Sequence, residues 1–378
     1  MNEKLSPFLT DVQRIVIKVG TRVIDHEQTH FNLPVIESLV REIAELKQRG
    51  VEVILVSSGA VGAGLRALRV PKRPASLPLK QAYAAIGQGR LMKAYTDLFA
   101  QHDIITAQIL LTRSDLDRRE SYLNARETLQ HLLTIGVVPI INENDTVAVE
   151  ELTFGDNDML AALTAGEMEA QLLVLLTTVD GLFRSFDPVT KSGELIEMID
   201  DDLDGAMQCV DPNIDEFSMG GMQSKLGAAR TAASSGTLTA IANGLRPGVL
   251  NELIQGQGRA TWVLPSEKKL AARKYYLAHA KTLSGGKIVV DAGASNALLQ
   301  GGKSLLASGV KQVIGEFQEK DLVQIINETN KEIARGLVNV SSGDLVQIQG
   351  RRSKDIQSSD DHHTSGVVIH RDNLVLTG

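Results

Sequence analysis

The sequence predicts an α/β protein with an open, mostly parallel sheet sandwiched by helices, followed by a small β-rich barrel at the C-terminal end. Three observations lead there. Six short apolar runs, most of them rich in Val and Ile, recur through the first 245 residues. Longer segments with helical spacing separate these runs. Near Leu264 the alternation stops, and the segments become shorter, divided by glycine and charged turns.

The runs are RIVIKV from Arg14, VEVILVSS from Val51, IITAQILL from Ile104, VVPIIN from Val137, LLVLLTTV from Leu172 and LTAIAN from Leu238. Each is too short for a typical helix and lacks polar alternation, as expected of strands buried on both faces. In PVIESLVREIAELKQRG, Val35, Ile36, Leu39, Val40, Ile43 and Leu46 form an apolar stripe at helical spacing, and Gly50 marks the stop. SEKKLAARKYYLAHAK reads as a charged amphipathic helix. From Gly285 the runs KIVV, GVKQVIGEF, DLVQIIN, EIARGLVNV, DLVQIQ and GVVIHR read as strands. The expected organisation is a first domain over 1–264, a helical linker over 265–284 and a second domain over 285–378.

Composition narrows the function. Hydrophobic residues make up 43% and charged residues 22%, ordinary globular usage that argues against a disordered or fibrous chain. Cys209 is the one cysteine, so an internal disulfide or multi-cysteine metal site is excluded, and a reducing cytoplasm is the expected setting. The start, MNEKLSPFLTDVQR, has no apolar run of signal-peptide length, and no stretch of membrane-spanning length occurs. A net charge of −7 gives no general pull toward nucleic acid.

Ligands of open α/β sheets bind beyond the carboxyl ends of the strands, so chemistry is expected at those ends. The first strand ends in IKVGTR. Lys18 inside an apolar strand is costly unless an anion or carboxylate meets it, and Gly20 lets a phosphate approach the backbone. A snorkelling lysine is the ordinary alternative. The second strand ends in SSGAVGAG, where Ser57, Ser58 and Gly59 mark a tight turn into a helix, a ready anion site. Its G-x-x-G-x-G order is not a dinucleotide fingerprint, and Gly62 and Gly64 are expected to allow close helix packing instead. No Walker A motif is present: GGKS at Gly301 lacks the first glycine, where Ala297 stands, and reads as an ordinary turn.

The fourth strand runs into INENDTVA, crowding Asn142, Glu143, Asn144 and Asp145 together. TFGDNDMLAAL follows, and Asp156, Asn157 and Asp158 start a helical pattern. Capping explains one residue of the three. The two clusters together suggest a polar ligand bearing an amino group, or a metal. Thr177 and Thr178 end the fifth strand, before a turn at Asp180 and Gly181. In SMGGMQSK, Gly220, Gly221 and Lys225 suit a nucleotide phosphate, though each alone is a weak signal. Cys209 reads as a small loop residue, and Asp360, Asp361, His362 and His363 as a solvated loop.

Taken in order, K-V-G-T at Lys18, S-S-G-A at Ser57, LLTRSDLDRRESYLNARETL, P-I-I-N-E-N-D at Pro139, G-D-N-D at Gly155, G-G-M-x-S-K at Gly220 and V-I-H-R-D near the end resemble the amino-acid kinase family. The resemblance spans nearly the whole chain. INEND followed closely by GDND resembles the branch that phosphorylates the side-chain carboxylate of L-glutamate, and the C-terminal part resembles a PUA domain. Two positions depart from the family pattern. Thr178 stands where an Asp is usual, and Met219 replaces a Thr of the glycine loop. Both fall on the nucleotide side.

The resemblance implies an amino-acid kinase fold, ATP as phosphoryl donor, Mg2+ on its phosphates and L-glutamate as acceptor. It implies that Lys18 and Lys225 neutralise the transferring group and that Asp158 orients them. Ser58, Asp145 and Asn157, with Asn142 and Asp156 nearby, correspond to glutamate-binding positions. Nucleotide contacts are implied for Lys18, Gly20, Thr21, Gly59, Thr177, Thr178 and the run Met219, Gly220, Gly221, Met222, Gln223, Ser224 and Lys225. A homo-oligomer and feedback inhibition by proline are also implied. A kinase for aspartate, N-acetylglutamate, carbamate or a nucleotide is the nearest competing reading. RNA binding by the second domain is the most distant, because its ten Lys or Arg against eleven Asp or Glu leave no basic footprint.

Overall fold

The computed structural model describes residues 3–25, 31–71, 74–148, 156–187, 192–200, 205, 219–266, 277–278, 285–351 and 366–377. They divide into two compact units, Met1–Leu116 with Glu120–Lys269, and Asp117–Arg119 with Leu270–Gly378. The expected amphipathic linker helix falls largely outside the described residues, as do Cys209, Asp360, Asp361, His362 and His363. No described helix is long and apolar enough to cross a membrane.

The first unit is built on an eight-stranded sheet. Its strands are β1 (Arg14–Val19), β2 (Glu52–Ser57), β3 (Thr106–Leu111), β4 (Val138–Glu143), β5 (Leu172–Thr177), β8 (Met198–Ile199), β9 (Leu238–Asn243) and β10 (Ala260–Val263). A hairpin of β6 (Phe183–Asp187) and β7 (Ser192–Leu195) stands apart. The order is β3-β4-β2-β1-β5-β9-β10-β8, and every pair from β3 to β9 is parallel. β10 runs antiparallel to β9, and β8 pairs parallel to β10, so both run against the other six. The six expected runs are the six parallel strands. In β1, Ile15, Val16, Ile17 and Val19 have no exposed surface, as strands covered on both faces require.

The topology places the site. The chain adds β2, β3 and β4 on one side of β1, then crosses through the Asp156–Glu167 helix to add β5 and β9 on the other. The strand order therefore reverses between β1 and β5, and a crevice opens at that point beyond the strand ends.

Helices cover both faces of the sheet. The Leu33–Gln48 helix buries Ile36, Leu39, Val40, Ile43 and Leu46, and Gly50 follows it at φ +83. Each buried aliphatic side chain contributes about 1.5–3 kcal/mol. The helix also buries Glu42, whose carboxylate accepts from Gly248 N at 2.9 Å and Leu250 N at 2.8 Å. A side chain distant in sequence thus caps the Val249–Ile254 helix, filling orphan donors that its own residues leave open.

The Ala60–Ala67 and Leu77–Ala100 helices touch through backbone. A Cβ at Gly64 would lie 1.9 Å from Tyr83 O, and one at Gly87 would lie 1.8 Å from Ala60 O. Gly64 therefore packs helices closely, as expected. Gly62 does not, since its missing Cβ faces the Asp25 carboxylate, 3.9 Å away.

Glu167, at the end of its helix, is fully buried, and neither carboxylate oxygen has a hydrogen-bond partner among the described residues. Burial pushes its carboxyl up to about 8, with the Arg126 charge pulling weakly the other way. The folded state thus holds a proton that the unfolded chain releases near pH 4.5. The stabilisation is complete below that pH and is lost as pH rises through 8. Between pH 5 and 8 wild type is expected to lose on the order of 3 kcal/mol relative to Glu167→Gln. Paired denaturant titrations across that range measure the difference, and parallel pH dependences of the two proteins would refute it.

The second unit has a five-stranded sheet of β11 (Lys287–Val290), β13 (Val310–Ile314), β14 (Leu322–Ile326), β15 (Glu332–Leu337) and β17 (Leu374–Leu376), in the order β13-β11-β14-β15-β17. A ribbon pairs β12 (Leu305–Leu306) with β16 (Val367–Ile369). The strands enclose Ile288, Val290, Val323, Ile325, Ile333 and Ile369. Among the described residues they form an open sheet and a ribbon rather than the closed barrel expected. Register shifts at Val289/Val290 and Ile325/Ile326 bend the strands, but β13 and β17 stay unpaired edges.

DLVQIQ is a second correction, since it lies in a helix, Ser342–Ile348. Ser341 accepts from Asp344 N at 3.2 Å and donates to its carboxylate at 2.7 Å. That N-cap overrides the strand-like composition. Asp291 similarly caps an unforeseen helix, Ala292–Gly301, with Ala294 N at 2.6 Å. Gly302, at φ +53, ends it within GGKS, an ordinary turn as read.

Candidate active site

Three buried charges meet at the switch point. Lys18, at the end of β1, is 5% exposed, Asp158 1% and Lys225 7%. Lys18 Nζ lies 2.7 Å from Asp158 Oδ1, and Lys225 Nζ lies 3.0 Å from Asp158 Oδ2. Ser224 Oγ also donates to Oδ2, at 3.0 Å. Burial pushes the Lys18 ammonium down, Asp158 draws it back up, and Lys225 pushes it down again. Burial would raise Asp158, but the two ammonium groups outweigh it and hold the carboxyl below its usual range. Among the described residues two cations share one carboxylate, so the triad carries a net positive charge away from water. A buried uncompensated charge is expensive until an anion joins it.

Glycines keep space open around this charge. A Cβ at Gly20 would come within 3.3 Å of Leu176 O and 3.7 Å of Lys18 Nζ. Gly20 has ordinary φ, so what it supplies is room. Gly59 begins the Ala60–Ala67 helix at φ +109, which L side chains rarely adopt. At Gly221 a Cβ would meet nothing within 4 Å, so packing within the described residues does not demand a glycine there. Thr21 opens the short Thr21–Ile24 helix after Gly20 and is exposed.

On the β2 and β4 side lies a set of amides and hydroxyls. Asn157 Nδ2 donates to Ser58 Oγ at 3.0 Å and to Asn142 Oδ1 at 2.9 Å. Asp145 is half-buried in the turn after β4. Asp156 is the first residue of the Asp156–Glu167 helix, and its side chain lies outside the described residues, as does Gly155. On the other side of β1, Thr177 ends β5 and Thr178 follows it. Met219, Gly220, Gly221, Met222, Gln223, Ser224 and Lys225 form the opening turns of the Met219–Ser234 helix. The structure thus brings Lys18, Asp158, Ser224 and Lys225 into one cluster, and Ser58, Asn142 and Asn157 into another.

Sequence reading missed two contributors. Gln88 is 9% exposed in the long Leu77–Ala100 helix, and its Oε1 accepts from Asn142 Nδ2 at 2.8 Å. A glutamine beside a glycine in an apolar helix was the available signal. Asp180 receives Asn243 Nδ2 at 3.2 Å and lies 3.3 Å from Arg259 Nε. That cluster ties the turn after β5 to the end of β9 and the start of β10.

Among the described residues no group of three or more His, Cys, Asp or Glu side chains converges as a protein-built metal cage would. Asp158, the one carboxylate at the charge cluster among the described residues, is taken up by two lysines and a serine. A carboxylate so engaged is a poor metal ligand, so a magnesium ion arriving with a nucleotide would be held through phosphate oxygens and water.

Residues 13–243 match the model of the amino acid kinase family, and residues 286–359 match the PUA domain. The chain belongs to the amino acid kinase family. It is similar to the glutamate 5-kinase of Caldanaerobacter subterraneus subsp. tengcongensis, 45% identical over 363 residues, covering 96% of this chain and 97% of that protein. It is 46% identical over 368 residues to the glutamate 5-kinase of Trichormus variabilis, covering 96% and 99%. Among solved structures, N-acetylglutamate synthase from Neisseria gonorrhoeae shares the fold, with TM-score 0.51 and 18% identity over 69% of this chain and 62% of that one.

Proposed function

We propose that this chain transfers the γ-phosphoryl group of ATP to the γ-carboxylate of L-glutamate, giving L-glutamyl 5-phosphate and ADP, the first step of proline biosynthesis. The buried Lys18–Asp158–Lys225 cluster carries the reading. A carboxylate is already ionised at neutral pH, so the reaction needs no general base. Its obstacle is repulsion between an anionic nucleophile and an anionic phosphate. A carboxylate oxygen of glutamate bonds to the γ-phosphorus as the bond to the β–γ bridging oxygen breaks, and that oxygen leaves on ADP. Lys18 and Lys225 neutralise the equatorial charge while Asp158 holds both ammonium groups in place. Gly20 and Gly59 admit the phosphates to the backbone, and Thr177, Thr178 and the opening of the Met219–Ser234 helix hold the nucleotide. Ser58, Asn142, Asp145, Asp156 and Asn157 hold the amino acid. Magnesium, when bound with ATP, supplies further charge neutralisation.

In the same reading, 1–264 is the catalytic body, 265–284 a linker and 285–378 an appended PUA module. The enzyme is a homo-oligomer, and proline inhibits it by competing for the amino-acid site.

Purified protein incubated with ATP, magnesium and L-glutamate should yield an acyl phosphate that hydroxylamine traps as the hydroxamate. Aspartate and N-acetylglutamate, run in parallel, should give little. Product from another acid but not from glutamate would overturn the substrate, and folded protein without product from any acid would overturn the activity.

A further inference from the structure

Gln88, Asn142, Asn157 and Ser58 form one hydrogen-bonded row. Amide oxygen and nitrogen have nearly the same shape, so the polarity of such a row must be set by a group with only one hydrogen-bonding sense. Here that group is backbone: Glu143 N donates to Asn142 Oδ1 at 2.9 Å. With this oxygen committed as acceptor, Asn142 Nδ2 must face an acceptor of its own, which Gln88 Oε1 supplies. Whatever Asn157 offers to Asn142 Oδ1 must then be a donor. Asn157 Oδ1 is consequently left over, out of solvent and without a partner among the described residues.

The mounting of Gln88 is rigid. Its neighbour Gly87 lies against the backbone of Ala60 and Gly64, in the helix that begins at the Ser58–Gly59 turn. Both ends of the row therefore stand on two helices in backbone contact. Asn142 is 2% exposed, so without Gln88 its amide nitrogen has no water to turn to. Loss of that acceptor leaves a buried donor unsatisfied, which strains the orientation Glu143 N sets and loosens the hold on Asn157.

We propose that Gln88 is a positioning residue for the amino-acid substrate: its Oε1 holds Asn142 in the orientation that Glu143 N sets, so that Asn157 Oδ1 faces the substrate as the acceptor for its α-ammonium group. This rests on the reading of L-glutamate as the acceptor. The row then distinguishes an α-amino acid from a plain dicarboxylic acid, because the buried oxygen of Asn157 is satisfied only when an N–H donor arrives.

The test compares the full-length wild type with Gln88→Met and Gln88→Glu, using L-glutamate and glutarate, which lacks the α-amino group. Gln88→Met keeps the length and removes the acceptor. It is expected to raise KM for glutamate about tenfold and to lower the glutamate-over-glutarate preference in kcat/KM about tenfold, with KM for ATP changed less than about twofold. Gln88→Glu keeps an acceptor for Asn142 and is expected to hold the preference within about threefold. A Gln88→Met enzyme with wild-type KM and preference overturns the assignment, as does equal loss toward both acids. If Gln88→Met does not fold, a folded Gln88→Glu enzyme that has lost the preference overturns it equally. Wild type inactive on glutamate overturns the substrate reading and this assignment together. Wild type active with Gln88→Met unaffected overturns this assignment alone.

Discussion

Lys18→Ala is expected to turn over glutamate two to three orders of magnitude more slowly than wild type, while folding normally. The size follows from the loss of one preorganised charge partner of the transition state, about 2.7–4 kcal/mol. Normal folding follows from the count of charges. Removing Lys18 leaves Asp158 paired with Lys225 at 3.0 Å, a balanced pair in place of a carboxylate shared between two ammonium groups. Asp158→Asn does the reverse: it leaves two buried lysines facing each other and should lower stability as well as turnover. Hydroxamate formation at saturating substrates, with thermal unfolding of the same preparations, separates these outcomes. Turnover of Lys18→Ala within about tenfold of wild type would remove the lysine from the chemistry.

Gly87→Ala is expected to destabilise the protein by about 3 kcal/mol or more, from a single methyl group. Its Cβ would lie 1.8 Å from Ala60 O and 2.5 Å from Gly64 N, both backbone atoms that no rotamer change can move. The two helices must part, and a cavity opens beside the new methyl. A loss of that size lowers the midpoint of thermal unfolding by about 6–12 °C for a unit of this length. Because the displaced helix begins at Gly59, glutamate affinity should fall along with stability. Gly89→Ala is the control, since a Cβ there meets nothing within 4 Å. Equal midpoints for the two variants would contradict the backbone contact.

What was legible in the sequence follows from which signals are local. A parallel strand buried on both faces writes its burial into a continuous apolar run, so β1, β2, β4, β5 and β9 could be read directly. Lys18 stood out because a charge inside RIVIKV is costly unless an anion or carboxylate meets it, although snorkelling was an ordinary alternative that the sequence left open. The motifs supplied Asp158 and Lys225, but that they share a carboxylate is a tertiary fact with no local trace. Gln88 was hidden for the same reason, its partner Asn142 lying 54 positions away. DLVQIQ was misread because its composition suits a strand, while the decisive cap, Ser341, lies just before it. The barrel was inferred from strand spacing, which counts strands but does not say whether the outer two meet.

The strand order has a consequence for how such an enzyme diversifies. Of the side chains proposed to hold the acid, Ser58, Asn142 and Asp145 follow or end β2 and β4 on one flank of β1, while Thr177 and Thr178, proposed to hold the nucleotide, lie at the end of β5 on the other. Among the described residues, Lys18, Asp158, Ser224 and Lys225 stand between them. Substitutions that retune the acceptor therefore need not disturb the donor, and drift on the nucleotide side, such as Thr178 and Met219, can accumulate without costing recognition of the acid. The two specificities are separate mutational problems joined by three charged residues, which leaves either flank open to selection on its own.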